Sequence, residues 1–90
     1  MIDPSEALEQ TIAVIESAPA SAAALTLYAL VTTLEYKHAG RLFKLTKLGD
    51  LPAATRLIAY GLMERSVVDG IGDDDWIAAR ARIDRAIRGA

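Results

Sequence analysis

His38 is the only imidazole in this chain of 90 residues, and there is no cysteine. A histidine binds a metal or moves a proton only with partners. Glu35, one helical turn away, is the single acid placed to assist it. No second ligand or base converges on that pair, so His38 reads as a core-edge residue with a satisfied nitrogen. The lack of cysteine excludes thiol nucleophiles, zinc ribbons, Cys-ligated clusters and disulfides. The run Asp69-Gly70-Ile71-Gly72-Asp73-Asp74-Asp75 is acidic, but it lacks the alternating ligands, central glycine and closing glutamate of a calcium loop. It reads as a turn followed by a helix cap. The glycines are scattered without the spacing of a phosphate-binding loop. The four serines lie in no nucleophile elbow. The expectation is a protein that is not an enzyme, with no catalytic residue, metal site or cofactor.

The remaining candidates for recognition are charged. Residues 1–36 carry five acids and no base, whereas residues 37–49 carry Lys37, Arg41, Lys44 and Lys47 and no acid. At helical spacing these four bases share one side. They are either a solvated face, paired with the acidic first helix, or a binding stripe for an acidic protein surface or a phosphate backbone. The net charge of −2 and pI near 5.2 argue against general coating of nucleic acid. The stretch Arg41 to Arg65, with Leu48-Gly49-Asp50 as a turn, has the outline of a helix-turn-helix. Its second helix, however, offers only Thr55 and Arg56 near the start for contacting bases, and the basic stripe lies on the preceding helix. Any two helices joined by a glycine turn share this outline.

These residues must be positioned by helices. Asp3-Pro4-Ser5-Glu6 combines a cap, a first-turn proline and an early acid. Leu8, Ile12 and Ile15 follow at helical spacing, and Pro19 ends the helix, giving a first helix over 4–17. Ser21 is placed to cap the second. Leu27, Val31, Leu34, His38, Leu42, Leu45 and Leu48 fall in one arc of about 120°, in phase across Gly40. One helix over 22–48, closed by Gly49, is therefore expected, with a break near Ala39-Gly40 and a fold-back into a monomeric bundle as the alternative. Asp50 is expected to cap a third helix over 51–66, with Pro52 in its first turn. Val67 to Gly72 reads as a loop around Asp69-Gly70. A fourth helix over 74–88 presents Trp76, Ala79, Ile83 and Ile87 inward, with acids at its start and arginines toward its end.

The fold class that follows is all-α: a small bundle of three to four helices in a single domain, residues 1–90. A 27-residue helix would span roughly 40 Å and overhang a domain of this size. Self-association as a two-fold dimer is therefore expected, through Leu27, Val31, Leu34, Leu42 and Leu45. The uncharged stretch between Glu16 and Glu35 is interrupted by Ser17, Pro19, Ser21, Thr26, Thr32 and Thr33, which argues for a core helix and against a membrane span. Met1-Ile2-Asp3-Pro4 has no basic n-region, so no secretory signal is expected and cytoplasm is the default setting. Function is expected to be protein–protein interaction, as an adaptor, accessory subunit or regulator binding an acidic partner. A helix-turn-helix regulator of transcription is the alternative.

Overall fold

A computed structural model of the chain describes residues 4–35, 48–49 and 51–89. Among these residues there are four α-helices and no strand: α1 (Pro4–Ser17), α2 (Ala22–Glu35), α3 (Ala53–Val68) and α4 (Asp74–Arg88). The all-α bundle expected from the periodicity is what forms.

Local chemistry sets the helix ends. After α1, Ser21 turns the chain by donating its N–H to Ala18 O at 3.0 Å, and its Oγ accepts the N–H of Ala24 at 3.1 Å. This is the cap expected of Ser21. The described part of α2 ends at Glu35. The expected continuation through Lys37, His38, Gly40, Leu42 and Leu45 lies outside the described residues. At its expected far end, Leu48 and Gly49 form a 3₁₀ turn, in which Leu51 N–H reaches Leu48 O at 3.2 Å.

Two boundaries of α3 differ from expectation. The helix begins at Ala53 with Pro52 at the cap position (φ −56°, ψ 153°) and no side-chain cap bond. Asp50, expected in that role, lies outside the described residues. A residue before proline is driven out of the helical region, so Leu51 cannot open the helix. At its other end α3 takes in Val67 and Val68, which were expected in a loop. Asp69 N–H closes onto Arg65 O at 2.9 Å, and Gly70 then turns the chain with φ at +78°. The left-handed conformation at Gly70, open to glycine without steric cost, is what stops the helix. For α4, Asp73 takes the cap position, and its Oδ1 accepts Trp76 N–H at 3.1 Å.

α1 packs against all three other helices. Its Ala7, Leu8, Ile12 and Ile15 meet Ala24, Leu27, Leu30 and Val31 of α2, Ile58, Ala59 and Leu62 of α3, and Trp76, Ala79 and Ile83 of α4 in one core. Leu48 and Leu51 close it beside α3. Thr11 is wholly buried, and its hydroxyl is satisfied by donating to Ala7 O at 2.8 Å. The outer face of α3 differs from the outer face of an ordinary bundle helix. Leu57, Tyr60, Val67 and Val68 are all exposed, Val67 by 81% and Val68 by 64%.

Core and surface positions should separate cleanly in stability. Replacing wholly buried Ile83 with alanine is expected to cost roughly 2–4 kcal/mol by urea denaturation, from lost transfer energy and the residual cavity. Val68→Ala should stay within about 0.5 kcal/mol of the parent. An equal loss at both positions would mean that Val68 is covered within the single chain.

Candidate functional site

The polar side chains that the fold brings together centre on Trp76. Its ring is buried, and its indole N–H donates to Glu35 Oε2 at 2.9 Å, across 41 residues of sequence. The other oxygen of Glu35 accepts from Arg80 Nε at 3.0 Å. Arg80 also pairs with Asp84 one turn along α4 and stands over the Tyr28 ring, 5.0 Å from its centroid. Burial works against the charge of Arg80. Tyr28, Glu35 and Asp84 outweigh it and hold the guanidinium more firmly protonated than usual.

Over the Trp76 ring, Arg65 lies 5.8 Å from the centroid of the indole. It donates to Gly70 O at 3.0 Å and to Asp73 Oδ2 at 2.8 Å. Arg65 is only 4% exposed, so Asp73 supplies the counter-charge that a buried guanidinium needs. The hydrogen bond from Arg65, against a smaller opposing effect of burial, holds the Asp73 carboxyl below its ordinary value of 3.8, with help from Trp76 N–H. At the surface, Arg82 joins α4 to α1 through Glu9 at 3.1 Å and Glu16 at 2.8 Å.

This arrangement clasps helices together. Glu35, Asp73, Asp84, Glu9 and Glu16 are each bonded to an arginine. Glu35, the acid considered as a helper for His38, is taken by Trp76 and Arg80, while His38 itself lies outside the described residues. Among the described residues, no three His, Cys, Asp or Glu side chains gather as a metal-ligand set. A cleft of about 300 Å³ between α1, α3 and α4 is lined by Leu8, Ile12 and Ala79 together with Glu9, Arg65, Asp75 and Arg82. Both arginines are already paired, Arg65 with Asp73 and Arg82 with Glu9 and Glu16. Among the described residues, no helix is long and apolar enough to cross a membrane.

The basic stripe of Lys37, Arg41, Lys44 and Lys47 lies outside the described residues, as do Leu42 and Leu45 of the self-association stripe. Leu27 and Val31 sit in the core, covered by this chain's own helices, and Leu34 is partly buried against it. The acidic face of α1, considered as a partner for the basic stripe, gives Glu9 and Glu16 to Arg82 of α4.

The residue set not anticipated from the sequence is the outer face of α3. At 100° per residue, Leu57, Tyr60, Glu64, Val67 and Val68 fall within an arc of about 100°. Glu64 is the only charged side chain among the exposed residues of α3. The opposite face carries Ile58, Leu62 and Arg65 into the interior. A helix apolar on two opposite sides calls for cover on both. The stripe is complete only because α3 runs on through Val67 and Val68, beyond the expected end at Ser66. Comparison with protein-family models, curated proteins and solved structures finds no match to this chain.

The lowered carboxyl of Asp73 gives a pH dependence with a definite sign. Its contribution to stability is complete above 3.8 and is lost as pH falls through the lower value of the folded state. Melting temperature should therefore drop with acidification below about pH 4. In Asp73→Asn, which can still cap α4, that acid limb should be shallower. Identical acid limbs for the two proteins would remove Asp73 as a contributor.

Proposed function

We propose that this protein is a non-enzymatic, self-associating protein–protein interaction module, acting as an adaptor, accessory subunit or regulator in the cytoplasm. The observation that carries the reading is the outer face of α3, where Leu57, Tyr60, Val67 and Val68 are exposed together on one helix. Scattered apolar residues on a surface are ordinary, but a contiguous stripe marks an interaction site. Aromatic and aliphatic side chains in such a stripe supply the desolvated centre of an interface. Lys37, Arg41, Lys44 and Lys47 would add contacts to an acidic partner.

The helix-turn-helix alternative has less support. It needs α3 to enter a DNA groove by its exposed side, yet the charge there is Glu64, which phosphates repel. Thr55 and Arg56, the two side chains suited to reading bases, are half-buried.

A tagged pull-down from the native lysate, run with and without nuclease, tests the reading. A stoichiometric protein that survives nuclease, either the untagged chain itself or a different protein, is expected. Capture should fall at least tenfold for Val68→Glu, which puts a charge into the stripe at an exposed position. Recovery of DNA, with proteins lost on nuclease treatment, would overturn this function in favour of the helix-turn-helix.

A further inference from the structure

The outer face of α3 has an order along the helix that fits a second copy of itself. Leu57 lies at one end, Val67 and Val68 at the other, and Tyr60 and Glu64 between them. A two-fold axis makes an interface self-complementary, so that residue i meets j and j meets i. When two copies of α3 pack antiparallel, the numbers of facing residues sum to a constant. Placing Tyr60 against Glu64 of the second copy also places Leu57 against Val67, with Val68 adjoining it. Both facings are chemically matched: the phenol O–H donates to a carboxylate, and apolar side chains meet apolar side chains.

We infer that the occupant of this face is a second copy of the chain, docked with α3 antiparallel to α3 and closed by two symmetric Tyr60–Glu64 hydrogen bonds. The inference rests on the reading of this face as the protein's contact surface, and it names the partner. The pairing accounts for the one charge on the stripe. The two glutamates stand about 6 Å apart along the helix direction and on opposite helices, so they avoid direct opposition. A parallel pairing in register would set Glu64 against Glu64, a like-charge contact, and would leave both phenols without an acceptor. The stripe covers about three turns of one helix, less than the roughly 800 Å² per partner of a standard interface. The dimer is accordingly weak and depends on concentration.

Sedimentation velocity on the full chain from 1 µM to 500 µM (about the range in which such weak interfaces fill) should show a reversible monomer–dimer equilibrium. Tyr60→Phe should raise the dissociation constant roughly tenfold, since two hydrogen bonds are lost per dimer. Val68→Glu should abolish the dimer while keeping the helical circular dichroism of the parent. Because the natural chain has no cysteine, orientation can be read directly. Under mild oxidation a mixture of Leu57→Cys and Val67→Cys chains should cross-link mainly as the mixed dimer, with little linkage of Leu57→Cys to itself. Linkage of Leu57→Cys to itself in preference to the mixed pair would overturn the antiparallel arrangement. A monomer at every concentration would overturn self-pairing. Capture of a different protein from lysate, lost in Val68→Glu, would then keep the interaction reading while this inference fails. Absence of both would remove the two together.

Discussion

The indole N–H of Trp76 and the carboxylate of Glu35 form the bond on which the arrangement of the helices depends. A tryptophan contributes the largest side chain in this core, but it carries one polar group that cannot be buried without an acceptor. Glu35 meets that need from the C-terminal end of α2 and uses its second oxygen on Arg80 of α4. Since α4 lies chiefly along α1, this carboxylate is what fixes α2 relative to α4. Over the ring, Arg65 reaches from the last turn of α3 to Gly70 and Asp73, and Asp73 caps α4. One buried aromatic residue thus sets the positions of α2 and of the turn between α3 and α4.

This concentration of polar contacts on one side of the bundle has a consequence for function. The arginines that reach across the molecule, Arg65, Arg80 and Arg82, are satisfied by carboxylates within the chain. Such pairs at the surface add little stability; they tie α4 to α1 and α2. On α3 the situation is the reverse. Its inner face is packed on α1, and its outer face presents Leu57, Tyr60, Val67 and Val68 to solvent. Free energy gained by removing apolar area from water is available there and at no comparably continuous stripe on the other described helices.

Much of the fold could be read from the chain. Pro4, Pro19 and Ser21 mark the bounds of α1 and the start of α2, and the acids before Trp76 mark the start of α4, because capping and proline chemistry act within a few residues. α3 starts at Ala53 and not at the expected Leu51, because Leu51 precedes Pro52 and is driven out of the helical region. α3 runs two residues beyond the expected Ser66, since the Asp69-Gly70 turn chemistry takes effect only at Gly70. The Trp76–Glu35 and Arg80–Glu35 bonds were not legible at all: they join residues 41 and 45 positions apart, and no local pattern encodes which acid a distant side chain will find. The alternation of acidic and basic segments suggests pairing with α1; the bases at 37–47 lie outside the described residues, and among the described ones Arg82 of α4 pairs with Glu9 and Glu16. The site is therefore less legible than the fold. A surface stripe becomes visible only once tertiary packing shows which apolar residues of α3 are left outside.

The central claim, that this protein meets its partner through the outer face of α3, is tested most directly by amide chemical shifts followed across a dilution series. In spectra of the uniformly labelled chain from about 20 µM to 1 mM, where a weak dimer forms, the account predicts progressive shifts clustered at Leu57, Tyr60, Glu64, Val67 and Val68. The amides of α1 and of the Trp76 clasp should stay still. Shifts centred on α4 or on the α1–α4 cleft, or no concentration dependence with α3 unperturbed by any captured partner, would contradict it.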